Sequence, residues 1–352
     1  MRKASSKSVQ GLVSQLIYFG YMLVFLLILC LFFQVMTGRT MNPDGGFFGW
    51  LFGGTFLTVQ NFSNVLRQVS VNTIIGVGMT IVIISAGIDL SVGAVLALAG
   101  VMSTAIIMRG FPPPFPYPSD SAMTPLWPLA ASVPVAVLVA AAVGGICGAH
   151  SAIPIVKLRV PPFIATLAMF SLARGFAYIY VGGGQVGNLP REFTSAVGES
   201  YLMPIVALLV VIGGYLLLSR TRFGRAVYAI GGNEQAARLS GIDVARVKFW
   251  VYVICGVLAG IAGLLLAGRI GAGDPKSGMS YELNAIAAVV LGGTSLMGGV
   301  GTIPGTCLGA VIIGSLETGL GLMGINWFVQ MVVKGYVILL AVALDQMKKR
   351  MV

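Results

Sequence analysis

Runs of close to twenty apolar residues recur along the whole chain, separated by short polar or basic stretches. A helix needs about 20 such residues to cross a hydrocarbon layer of about 30 Å. Lipid offers a backbone no hydrogen-bond partner, so only helices and closed barrels can span it. A barrel would alternate apolar and polar residues in segments of about ten, a pattern this chain lacks. The fold class that follows is an all-α polytopic membrane protein. Charge agrees: only 9% of the 352 residues are charged, against roughly 25% in a soluble domain.

About ten transmembrane helices fit, at 16–36, 69–87, 91–108, 127–148, 162–181, 201–219, 249–268, 283–298, 303–323 and 329–345. An even number puts both termini on one side. With that side taken as cytoplasmic, fourteen basic residues fall in cytoplasmic segments and six outside: Arg39, Arg67, Arg109, Arg191, Arg269 and Lys276. This is the bias that orients membrane proteins; nine spans would put one charged terminus on the wrong side. The whole chain, 1–352, then reads as a single transmembrane domain. It has a cytoplasmic loop at 220–248 and a Pro-rich outer loop at 109–127. The basic N-terminus lacks a small-residue cleavage site, so the first span reads as retained.

A net charge of +11 does not imply nucleic acid here, because the basic residues sit at span ends without interleaved aromatics. Cys30, Cys147, Cys255 and Cys307 are scattered within apolar runs and read as small buried hydrophobes. His150 has no partners in sequence, so no metal site is expected. The outer stretch "RGFPPPFPYPSDSAMTPLWP" is too rich in proline for a helix, and its Phe111, Phe115, Tyr117 and Trp127 are suited to anchoring at the interface.

One carboxylate stands out. Asp89 lies within "IISAGIDLSVGAVLALAG", where a charge at a helix centre would cost about 2.5–3.5 kcal/mol. Two readings compete. In the first, Gly87 ends one helix and Asp89 or Ser91 caps the next. In the second, a helix broken inside the membrane shows backbone dipoles and a polar side chain to a solute. The stretch has a faint echo in "GGTSLMGGVGTIPGT", which pairs Gly87 with Gly293, Asp89 with Ser295, Leu90 with Leu296 and Gly93 with Gly299.

The largest cytoplasmic loop, 219–250, contains "AIGGNEQAARLSGIDVARVKFW". Gly231 and Gly232 break the chain, Asn233 caps a short helix, and Glu234 suits its positive end. Gly241 ends that helix, and Asp243 caps the helix that enters the next span. Ala236 and Ala237 are small enough for close docking.

The stretch "AVYAIGGNEQAARLSGI" resembles the cytoplasmic coupling segment of the membrane permeases of bacterial ATP-binding-cassette sugar importers, of the ribose, galactose, xylose and arabinose type. "AGIDLSVGAVLALAG", "AAVVLGGTSLMGGVGTIPGT" and "VPPFIATLAMFSLARGFAYIYVGG" are similar to further stretches of that family. The likeness runs from about Asn61 to Lys349. It implies a paired permease, identical or heterodimeric, with ATPase subunits on one side and an extracytoplasmic sugar-binding protein on the other. The chain is then a transporter subunit, not an enzyme. It has no G-x-x-x-x-G-K-[ST], so ATP would be bound by the partner and no cofactor by this chain. The expected ATPase-coupling residues are Gly231, Gly232, Asn233, Glu234, Ala236, Ala237 and Gly241.

Three charges remain inside spans. Buried charges in membranes pair or face a cavity, so Glu317 is expected to meet Lys334 or Arg174; snorkelling to the outer headgroups is the alternative for the two cations. Polar residues suited to a sugar pathway are Asn72, Thr73, Asp89, Ser91, Thr166, Gln185, Asn284, Thr294 and Ser295. A carrier or channel working without ATP would need an ion site, and a branched-chain amino-acid permease would need groups for an ammonium and a carboxylate. No arrangement of residues for an intramembrane enzyme is present.

Overall fold

The computed structural model describes residues 2–117, 125 and 127–350. Among them, fourteen helices follow in order: α1 (Arg2–Met41), α2 (Gly46–Gly53), α3 (Val59–Ile84), α4 (Val92–Arg109), α5 (Leu129–Lys157), α6 (Pro162–Tyr180), α7 (Arg191–Thr194), α8 (Leu202–Arg220), α9 (Arg222–Gly232), α10 (Glu234–Leu239), α11 (Val244–Ile270), α12 (Tyr281–Leu291), α13 (Ile303–Leu322) and α14 (Trp327–Arg350). A single π-helical turn, Ser195–Glu199, follows α7. The described residues contain no strand, only one isolated bridge between Val186 and Gly273.

Eight of these helices are long and apolar enough to cross a membrane, so the chain is an all-α polytopic membrane protein. The span expected at 283–298 is different. α12 has 11 residues, about 16 Å at 1.5 Å per residue, roughly half a crossing. Its remainder, residues 292–298, is irregular and rich in glycine, as is the chain on to 302. α14 occupies the last expected span.

The core is formed by α3, α4, α5 and α11. In lipid, helices gain little from burying apolar surface against each other, and close packing through small residues takes over. Gly144 and Gly148 of α5 face Gly256 and Gly260 of α11, each pair spaced by four. A Cβ at Gly144 would lie 2.0 Å from the Gly256 carbonyl oxygen, and one at Gly260 would lie 2.0 Å from that of Ala140. The two backbones touch, and any side chain there would force them apart. α3 and α4 are buried almost throughout, while α1, α6 and α8 cover the outside with exposed apolar faces suited to lipid.

Five helix starts follow from a short polar side chain at the cap. Thr58, Thr221, Asn233, Asp243 and Thr302 each accept a backbone N–H from the first turn that follows, satisfying donors the helix itself leaves free. Gly231 and Gly232 do not break the chain; they are the last two residues of α9, and Asn233 both ends α9 and caps α10. Nor does Gly87 end α3. Ala86 takes the left-handed turn at φ 60°, with Ala86 N–H bonded to Ile83 O and Gly87 N–H to Val82 O. Gly87 is small for another reason: a Cβ would lie 2.4 Å from Tyr252 Oη.

The proline-rich loop is described up to Tyr117 and again at Pro125 and from Trp127; residues 118–124 and 126 lie outside the described residues. Phe115 and Tyr117 pack on the Tyr180 ring at 5.9 and 6.2 Å between centroids, and Tyr117 N–H bonds Tyr180 O at 2.8 Å. These two aromatics therefore fasten the loop to α6, whereas Phe111 is 56% exposed.

Candidate functional site

The stretch around Asp89 does not lie flat at the end of the bundle. Ile84 O, where α3 ends, accepts Gly299 N–H at 2.9 Å. Gly87 then rests against Tyr252 of α11, and within α4 the carbonyl of Leu96 approaches Gly263 of α11. These partners climb α11 by eleven residues, a rise of about 16 Å. α4 therefore starts well inside the bundle. From the opposite side, the segment between α11 and α12 descends along α4: Gly273 packs against Thr104 and Val101, and Gly278 against Gly93 and Leu96. A Cβ on Gly93 would lie 2.3 Å from both Glu282 Oε2 and Gly278 O. The first turns of two interrupted spans, α4 and α12, thus meet within the protein. Broken helices of this kind bring positive dipole ends into a membrane interior.

Asp89 is 1% exposed. Its Oδ1 accepts Ser91 N–H at 2.9 Å and Ser91 Oγ–H at 2.6 Å. Ser91, the residue at the cap position of α4, makes no side-chain cap of its own. Asp89 therefore steadies the turn leading into α4 from two residues upstream. Ser295 does the same in the echoing stretch, its Oγ accepting Met297 N–H at 3.2 Å. α12 also ends as α3 does, with Gly293 at φ 82° and Thr294 N–H on Val289 O. The helix ends correspond when Ala86 is paired with Gly293, and the turns when Asp89 is paired with Ser295, so the echo holds with a one-residue slip between its two parts.

Both echoing turns meet the loop helices at one point. A Cβ on Gly231 would lie 1.7 Å from Ile84 O and 2.5 Å from Gly299 N. One on Gly298 would lie 2.9 Å from both Gly231 O and the Ala86 side chain. Tyr228 Oη–H donates to Gly301 O at 2.7 Å. Three backbones, from the end of α3, the end of α9 and the 298–301 loop, are stacked without a side chain between them. Beside this junction, Ile230, Ala237 and Val244 form a small buried core joining α9, α10 and α11. Glu234 binds Lys248 at 2.6 Å and Arg238 at 3.4 Å. The bonded Lys248 ammonium holds the Glu234 carboxyl below the usual carboxylate range.

The expected coupling residues therefore divide. Ala237 is 4% exposed and packed inward, so it is spent on the fold and cannot offer a contact outward. Gly231 serves the junction. Gly232, Asn233, Ala236 and Gly241 are exposed, Gly241 closing α10 at φ 83°. Leu239, which sequence does not single out, is 89% exposed. Tyr228, Glu282, Gly298 and Gly301 are further residues that sequence reasoning misses; a tyrosine one turn before paired glycines is the available signal for the first.

The polar residues considered for a pathway do not gather at one point. Asp89, Ser91 and Thr166 surround the break, with Thr166 Oγ1–H reaching Ile88 O at 3.3 Å. Thr294 and Ser295 lie in the glycine loop. Asn72 and Thr73 are buried on α3, and neither amide atom of Asn72 has a hydrogen-bond partner. Gln185 is exposed. Asn284 belongs to a network centred on Glu317, whose Oε1 accepts from Lys334 at 2.9 Å and Asn284 at 2.8 Å. Gln68 donates to Oε2 at 3.1 Å and accepts from Arg269 at 2.5 Å. Arg174 stands apart from Glu317; its NH1 donates to the carbonyls of Pro275 and, at 2.8 Å, Ser277, holding the segment that descends to α12. Among the described residues, no group of His, Cys, Asp and Glu could hold a metal ion.

Residues 61–342 match the family described as branched-chain amino acid transport system / permease component. The chain is 42% identical over 302 residues to the ribose import permease protein of Escherichia coli (strain K12), covering 84% of this chain and 88% of that one. It is 41% identical over 324 residues to the ribose import permease protein of Bacillus subtilis (strain 168), covering 90% and 91%. Against the xylose transport system permease protein of Escherichia coli (strain K12), identity is 36% over 370 residues, covering 86% and 89%. No solved structure matches.

Proposed function

The chain belongs to the branched-chain amino acid transport system permease family, and on that premise we propose that it is the membrane permease of an ATP-binding-cassette importer for a monosaccharide of the ribose or xylose kind. The relatives named for ribose and xylose support the solute class. The junction supports the mechanism: Gly231, near the end of α9, is seated directly on the turns that precede α4 and α13.

In this reading the end carrying α10 faces the cytoplasm of a bacterial inner membrane. A separate ATPase docks there, on the exposed side of α10 around Ala236 and Leu239. A sugar-binding protein delivers solute at the other end, beside a second permease copy. Closure of the ATPase moves α10 and α9, and Gly231, Ile84 and Gly299 pass that movement to the turns before α4 and α13. The interrupted spans then open to one side or the other, because ATP binds the two arrangements with different affinity. Asn72, Asp89, Ser91, Thr166, Asn284, Thr294 and Ser295 are the polar groups available along the route, with Glu282 added by its place between α4 and α12.

Uptake of labelled ribose and xylose, with labelled leucine beside them, tests the reading in cells lacking their own permeases. Expression together with the cognate ATPase and binding protein should give saturable sugar uptake that stops when ATP is depleted. Uptake of leucine alone, or sugar uptake that survives ATP depletion and follows an ion gradient, would overturn it.

A further inference from the structure

A cleft of about 530 Å³ opens beside α10, and the proposed mechanism leaves it unused. One wall is the end of α5 and the linker to α6, with Lys157 and Arg159; the other is α10 and the start of α11, with Glu234, Arg238, Asp243 and Lys248. Its carboxylates are already engaged. Glu234 holds Lys248 and Arg238, and Asp243 Oδ1 caps α11 through Arg246 N–H at 3.0 Å. Among the described residues, Lys157 and Arg159 have no ion pair. With four cations and two anions, the cleft carries excess positive charge.

The linker shows that this charge is not incidental to the fold. α5 ends with Leu158 and Val160 N–H groups both on Pro154 O, at 3.1 and 3.2 Å, and Arg159 sits between them at φ 57°. That left-handed position is one glycine fills without steric cost. An arginine there is a poor choice for the turn and a good one for presenting a guanidinium. Leu158 is 73% exposed and Leu239, next to Arg238 on the other wall, is 89% exposed. One cationic wall, with an exposed leucine beside it and another beside the facing wall, matches a segment carrying carboxylates and apolar side chains.

We propose that this cleft is the second half of the ATPase docking surface and receives an acidic segment of that subunit, with Lys157 and Arg159 pairing its carboxylates. The inference rests on the reading of α10 as the ATPase contact. Its charge contacts lie at the rim, so they act most strongly at low ionic strength. A protein partner is favoured over a lipid headgroup because one wall is α10 itself.

The test uses the full-length permease in nanodiscs with its cognate ATPase, and three variants. Arg159→Gly should leave thermal stability equal or higher, since glycine suits the turn, yet weaken ATPase binding at low salt about tenfold. Lys157→Glu with Arg159→Glu should weaken it further, with the difference from wild type shrinking as salt rises. Leu239→Asp probes α10 alone. If Leu239→Asp releases the ATPase and neither cleft variant does, the cleft proposal falls and the reading of α10 stands. If none of the three releases it, the reading itself falls. If the cleft variants bind ATPase normally and instead abolish a difference between anionic phosphatidylglycerol and neutral phosphatidylcholine nanodiscs, the cleft is a lipid site and the proposal is overturned.

Discussion

Gly231 lies so close under Ile84 that a methyl group on it would sit 1.7 Å from the Ile84 carbonyl oxygen, the same oxygen that accepts Gly299 N–H. Neither partner can yield cheaply, because both are backbone. Two adjacent glycines at the end of α9 thus have opposite sensitivities.

Gly231→Ala should cost about 1–3 kcal/mol through overpacking, despite the better helix propensity of alanine, and should abolish uptake. Gly232→Ala meets nothing within 4 Å; it should be neutral or stabilising by up to about 1 kcal/mol and transport normally. Thermal melts in detergent, paired with uptake, separate the two. Equal behaviour of both variants would refute the junction.

Tyr228→Phe removes the hydrogen bond to Gly301 O and leaves the ring in place. The expected loss of stability is about 1 kcal/mol. Uptake should fall several-fold while the amount of ATPase held by the permease stays unchanged, because Tyr228 links α9 to the glycine loop and not to the exposed side of α10. Loss of ATPase binding would place Tyr228 in the docking surface instead.

The Glu317–Lys334 pair is 13% and 11% exposed at its side chains. Removing one partner strands a charge, a change that costs about 3–5 kcal/mol in buried pairs. Lys334→Met and Glu317→Leu should therefore each lower the melting temperature clearly, and the double variant should recover part of the loss. Recovery is incomplete because Asn284 and Gln68 also donate to Glu317. A double variant no better than the worse single one would show that the pair is not coupled.

The Glu234 carboxyl titrates below its ordinary 4.5 because Lys248 is bonded to it. A depressed folded value stabilises α10 fully above the unfolded value and ceases to do so as pH falls through the folded one. Amide exchange in α10, corrected for its intrinsic pH dependence, should thus be constant from pH 6 to 8 and rise only below about pH 4.5. In Glu234→Gln the step should vanish. A change near pH 6 or 7 would point to another group.

What sequence reveals is local chemistry. Asn233, Gly241 and Asp243 cap or close helices through atoms two to four residues away, so their roles are visible in short windows. The same holds for Glu317 and Lys334, whose shared depth follows from the length of the hairpin between them. The shortness of α12 is not legible, because it ends at Leu291, ahead of a glycine loop held by Gly299 N–H on Ile84 O across the fold, a contact no window contains. The left-handed turn belongs to Ala86 where sequence points to Gly87, since glycine is the usual occupant and Tyr252 is 165 residues away, outside any window. Size alone suits Ala237 to an outward contact, yet small residues serve inward packing equally well. Apolar runs show where the chain can cross more readily than the interruptions within them, because a broken span and a whole one have the same composition.

Interlocked as they are through Gly144, Gly148, Gly256 and Gly260, α5 and α11 have no rotamers with which to slide past one another. Any tilt of one would carry the other with it. α11 is 27 residues long, about 40 Å, and its N-terminal end is bound to α10 by Lys248 and Glu234. On the proposed function, a tilt begun at that foot would be carried along α11 to Ile270 at its other end. The two faces of the protein would then be the ends of one lever, each registering the state of the other with no messenger in between.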